Sequence, residues 1–101
     1  MKTIGLLGGT GWESTGEYYK IINQEISQRR GKEHSAKIIL FSVDFFEIST
    51  RINNNDFKSL ENYLMGVAKE IENAGADCLV ICANTLHMFA EQIAKTISIP
   101  L

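Results

Sequence analysis

Leu79-Val80-Ile81 is an unbroken apolar run with Asp77 before it and Asn84 and Thr85 just after it. A run this short and this apolar reads as a strand covered on both faces, which is how strands of a parallel sheet are buried. Asn84 and Thr85 then offer side-chain oxygens that can cap the first free amides of a helix. Cys82 falls between the two, at the carboxyl end of the strand and beside the positive end of a helix dipole. That position is expected to lower a thiol pKa and to attract an anion. A chemical site is expected around Cys82.

The rest of the chain repeats the pattern of short apolar runs followed by longer amphipathic ones. Thr3 to Leu7 is a first strand that opens into the glycine-rich loop Gly8-Gly9-Thr10-Gly11-Trp12. Ser14 with Glu17 three residues later fits a capping box, which predicts a helix from there to about Arg30, ended by Gly31. Lys37 to Val43 is a second strand, followed by an irregular stretch from Asp44 to Asn55. Asp56 can cap the next helix, whose Phe57, Leu60, Leu64, Val67 and Ile71 form one stripe and whose end is marked by Gly75. After Cys82 a last helix presents Leu86, Phe89, Ala90, Ile93 and Ile97 inward. Ser98 to Leu101 reads as the start of another strand.

Strands alternating with helices imply βαβ units, and so an α/β three-layer sandwich with a parallel sheet. Such sheets bind ligands beyond the carboxyl ends of their strands. The loops Gly8–Ser14, Asp44–Asn55 and Cys82–Thr85 all belong to that rim. At 101 residues the chain is a single domain, short for a complete α/β enzyme. A net charge of -2 with no basic run argues against a nucleic-acid partner. No apolar stretch reaches the roughly 20 residues of a membrane span, and the glycines after Leu7 break any signal-peptide core. Two cysteines without such a signal point to a reducing, cytoplasmic setting. Cys78 and Cys82, if both extended, lie about 13 Å apart at roughly 3.3 Å per residue, too far for a mutual disulfide. Their spacing is not that of a zinc or redox pair, and no metal site is expected.

Each feature also has a plain structural reading. Cys82 can be a small core residue, and Cys78, at the far end of the strand from the rim, is read as structural. The glycine loop fits neither nucleotide fingerprint. The third position of the dinucleotide pattern is Ser14, and Glu17 stands where a phosphate loop needs lysine. Trp12, Tyr18 and Tyr19 read as packing residues. His87 reads as a surface or hydrogen-bonded histidine, and His34 has no evident chemical partner. Asp44 and Glu47 can bind a ligand cation or simply be solvated.

Ile4 to Thr15, followed by Tyr18-Tyr19 and Ile22-Asn23, resembles the opening of the aspartate/glutamate racemase family, and within it the broad-specificity amino-acid racemases. The likeness continues through Ser42-Val43-Asp44-Phe45 with Glu47-Ile48, and through Cys82-Ala83-Asn84-Thr85-Leu86-His87. Thr10-Gly11 departs from the Met-Ser of close relatives, a difference that bears on side-chain preference. The loop also lacks the acidic residue that the more distant glutamate racemases carry there.

The resemblance implies cofactor-independent proton transfer at the α-carbon of an amino acid, acidic ones favoured, without pyridoxal phosphate or metal. In that chemistry two cysteines face opposite sides of the substrate, because a base holding one face has no route to inversion unless the carbanion turns over. Cys82 resembles the first of the pair. Asn84, Thr85 and the Ala83 backbone would hold the α-carboxylate, with Gly9 and Thr10 lining the same cleft. The family fold has two similar halves, and its second cysteine belongs to the second. The expectation is a truncated racemase of one half, impaired or inactive alone and prone to homo-oligomerise through its open half-interface. A non-catalytic assembly half or a ligand-binding remnant of the same fold is the alternative, and a phosphate- or nucleotide-binding α/β module is a third.

Overall fold

The computed structural model describes residues 1–101. In chain order the elements are β1 (Thr3–Gly8), α1 (Trp12–Arg30), β2 (Lys37–Ser42), α2 (Phe45–Asn53), α3 (Phe57–Asn73) and β3 (Cys78–Ile81). A 3-10 helix (Asn84–Phe89) and α4 (Ala90–Thr96) follow. The three strands make one parallel sheet in the order β2-β1-β3, with Leu6 beside Leu40 and Val80, and Leu7 beside Phe41 and Ile81.

That order decides where the helices go. The β1→β2 and β2→β3 connections run in opposite directions across the sheet. Right-handed crossovers then place α1 on one face and α2 with α3 on the other. The side chains agree. Alternation sends Leu7, Leu79 and Ile81 into a core with Leu60, Leu64 and Ile71 of α3, Ile48 of α2 and Ile93 of α4. Leu6 is fully buried yet lies outside that core, pointing to the α1 face. Gly5 lets α3 come close, since a Cβ there would stand 2.5 Å from the Ile71 side chain.

Helix boundaries follow local chemistry, with some differences from expectation. Asp56 caps α3 as predicted, accepting from the Ser59 amide at 3.1 Å. Gly31 and Gly75 both take positive φ after their helices. The Ser14–Glu17 capping box does not form. α1 begins two residues earlier, at Trp12, with Gly11 as its cap residue and no side-chain cap. Thr15 is what organises this turn: its hydroxyl accepts from the Gly9 amide at 3.0 Å and donates to the Gly11 carbonyl at 3.2 Å. The stretch expected to be irregular contains α2, because Asp44 accepts from the Phe46 amide and starts a helix there. Phe57, placed on the buried stripe by its spacing, is 42% exposed, since it begins α3 beyond the end of the covered face.

Ser98 to Leu101 forms no strand, but the Leu79 amide donates to the Pro100 carbonyl at 2.9 Å, so the segment lies along the outer edge of β3. Glu72 holds it there. One carboxylate oxygen accepts from both the amide and the hydroxyl of Ser98, each at 2.7 Å, and these donors hold the Glu72 pKa below the usual carboxylate range. No helix is long and apolar enough to cross a membrane.

Candidate functional site

The loop after β1 leads to α1 on one face, while the turn after β3 leads through the 3-10 helix to α4, which packs with α3 on the other. Chains that diverge in this way leave a crevice between the two strand ends. A cleft of about 300 Å³ occupies that crevice, lined by Thr10, Gly11, Ser14, Phe45, Cys82, Ala83, Asn84 and Thr85. The three loops expected to share a rim do meet, one residue or more from each.

Of the residues singled out in the sequence, Cys82, Thr10, Ala83, Asn84 and Thr85 line the cleft together. Gly9 does not. It lies beneath the cleft at a φ of 97°, where a Cβ would drive into the amide and carbonyl of Val43. Gly9 lets the β1 loop cross tightly over the end of β2, a backbone requirement that its neighbours' surface roles concealed. Gly11, Ser14 and Phe45 are lining residues beyond that set. The signal for Phe45 was Asp44, whose cap turns the chain so that the first helical residue faces the crevice.

Cys82 is 1% exposed, and its amide donates to the Leu7 carbonyl of β1 at 2.9 Å. The nearest polar contact of its sulfur is the Val80 carbonyl at 3.9 Å. Burial pushes the thiol up to about 11, the reverse of the lowering expected from a helix dipole. The physical reason is local. The segment after Cys82 is a six-residue 3-10 helix with no side-chain cap, so no long aligned helix terminus faces the sulfur. Desolvation is then unopposed, and at neutral pH Cys82 is a thiol. Neither Asn84 nor Thr85 caps the segment with its side chain, and both are exposed, leaving their polar groups free toward the cleft.

Other candidates fall elsewhere. Cys78 is at the opposite end of β3, and both cysteines are free thiols. Asp44 caps α2, and Glu47 pairs with Arg51 at 3.0 Å. His87 bonds through Nε2 to the Ile81 carbonyl at 3.1 Å. No three His, Cys, Asp or Glu side chains come close enough to hold a metal ion.

This crevice, with a cysteine at its floor and hydroxyl and amide groups at its walls, sits in a chain whose residues 7–101 match the family model of Asp/Glu/hydantoin racemases. The chain belongs to that family. It is similar to the crystal structure of a proposed Asp/Glu racemase from Yersinia pestis, with 44% identity and a TM-score of 0.96, covering 100% of this chain and 44% of that one. It is also similar to an aspartate racemase homologue from Pyrococcus horikoshii OT3, with 33% identity and a TM-score of 0.83, covering 99% of this chain and 43% of that one. The chain therefore spans less than half the length of these solved relatives.

Proposed function

We propose that these 101 residues form one acid–base half of a cofactor-independent amino-acid racemase, with Cys82 exchanging a proton at the substrate α-carbon. The observation that carries this reading is the gathering of Cys82, Thr10, Asn84 and Thr85 around one cleft at the divergence of β1 and β3. In the proposed chemistry Asn84, Thr85 and the Ala83 amide hold the α-carboxylate. Their donors matter beyond affinity, because deprotonation at the α-carbon moves negative charge onto that carboxylate. Cys82 rests as a thiol, the form that delivers a proton. Acting as a base requires it to lose that proton first, which closure of the cleft around a cationic α-ammonium would favour.

Inversion needs a second proton-transfer group on the opposite side of the substrate, and Cys78 is too far along β3 to supply it. The chain by itself is thus expected to exchange rather than racemise. The α1 face supports association with a second copy, since Trp12, Tyr19 and Ile21 are each more than half exposed there. Sedimentation at rising concentration tests this; a monomer throughout rejects it.

The central experiment is α-proton exchange in D2O followed by proton NMR, with both enantiomers of aspartate, glutamate and several neutral amino acids. Loss of the α-proton signal from one enantiomer, abolished by Cys82→Ala, is the expected result. The raised thiol pKa favours one second reading, a ligand-binding or assembly half without chemistry. Binding of amino acids by calorimetry with no exchange at any pH would select it.

A further inference from the structure

We propose that His87 is a positioning residue for Cys82: its ring, bonded to the Ile81 carbonyl, fixes the turn that holds the thiol against Asn84 and Thr85. Three hydrogen bonds define this turn. Cys82 N–H donates to Leu7 at 2.9 Å, Leu86 N–H donates to the Ala83 carbonyl at 3.2 Å, and His87 Nε2 meets the Ile81 carbonyl at 3.1 Å. The first ties Cys82 to β1, and the second is internal to the 3-10 helix. Only the His87 bond joins the 3-10 helix back to the residue preceding Cys82.

A carbonyl can only accept, so Nε2 must carry the proton and donate it. The tie replaces the capping contacts expected of Asn84 and Thr85, which this segment lacks. That substitution has a functional sense: a side chain used as a cap would be withdrawn from the cleft, and His87 lets both stay available. His87 itself does not line the Cys82 cleft. It borders a separate apolar cavity of about 400 Å³ with Tyr18, Val80, Ala90 and Leu101. Any influence on the thiol passes through the Ile81 carbonyl rather than through substrate.

The catalytic sense of this role rests on the racemase reading, but the geometric sense can be tested without it. In a Cys78→Ser background Cys82 is the sole thiol, and its alkylation by iodoacetamide is followed from pH 7 to 11. His87→Ala is expected to speed alkylation at pH 8 by about tenfold or more, because a loosened turn exposes the thiol and lowers its pKa. His87→Gln, whose amide can donate to the same carbonyl, is expected to restore the slow profile; a general loss of packing would not be rescued in this way. Should His87→Ala fail to fold, the comparison of His87→Gln with His87→Leu, similar in bulk but without a donor, carries the same test. Coincident pH profiles for the donor and non-donor variants overturn the proposal. In D2O the non-donor variant is expected to slow α-proton exchange at saturating L-aspartate by about tenfold, with rescue by glutamine. A shifted alkylation profile with no exchange in any variant leaves the positioning role standing and rejects the racemase reading.

Discussion

The two faces of the sheet are built differently. On one, α2, α3 and α4 enclose a continuous core in which Ile48, Leu64 and Ile93 are fully buried. On the other, α1 runs for 19 residues yet buries only Thr15, while Trp12, Tyr19 and Ile21 of α1 and Leu40 of β2 remain substantially exposed. Composition separates them in part, since α1 carries Glu13, Glu17, Lys20, Glu25, Arg29 and Arg30 among its few apolar residues. Cover separates them further: one face is a finished interior, and the other leaves several large apolar side chains open to solvent among polar ones. The cleft with Cys82 lies where the chain passes from one to the other.

The contrast makes quantitative predictions, of which the largest concerns reactivity. If Cys82 is as buried in solution as its 1% exposure implies, its alkylation should rise about tenfold per pH unit through pH 9 and level off only near 11. A plateau near the ordinary thiol value would mean that the turn after β3 is open in solution. Next comes the loop that joins the faces. Gly9→Ala is expected to cost about 4 kcal/mol or to prevent folding, since both its positive φ and the Val43 backbone oppose a side chain. Urea denaturation measures it, and a loss below about 1 kcal/mol would show that the loop can move aside.

A pair of substitutions tests the faces against each other. Leu64→Ala, in the core, is expected to cost about 3–4 kcal/mol, and Ile21→Ser, on α1, less than about 0.5 kcal/mol. Ile21→Ser should instead weaken self-association. Comparable losses of stability at both sites would erase the distinction. The smallest effect is that of Glu72, which pins the segment after α4. Its folded pKa lies below its ordinary value, so its contribution is present above about pH 4.5 and fades as pH falls through the lower folded value. The urea midpoint of Glu72→Gln should accordingly be lower than wild type at pH 6 and converge with it in acid. A difference that persists unchanged at low pH would place the effect in packing rather than in the carboxylate.

Much of this architecture was legible in the sequence, because the signals are local. Alternating apolar runs located all three strands, Asp56 and Gly75 bracketed α3, and the motif from Cys82 to His87 carried the family likeness now borne out by the match over residues 7–101. The cleft residues Thr10, Ala83, Asn84 and Thr85 could be placed near Cys82 because parallel sheets collect their ligand loops at one end. Less local features were not legible. The α2 helix was not evident, although Phe45, Ile48 and Ile52 recur at helical spacing after the Asp44 cap, because it is only nine residues long and runs into the polar stretch Asn53 to Asn55 and the next cap at Asp56. Gly9 shares its sequence context with cleft residues, yet its role is set by the backbone of Val43, 34 positions away.

What the sequence by itself determined is the parallel α/β pattern, the placement of a cysteine at a strand end and membership of a racemase family. These depend on side-chain periodicity and on short motifs, which neighbouring residues specify among themselves. What only the tertiary structure decided is which face is finished, which glycine is a hinge of geometry rather than of binding, and the state of the thiol. A dipole is a local quantity and can be guessed from the residues after Cys82. Desolvation depends on what the rest of the chain brings against the sulfur, and here it acts unopposed.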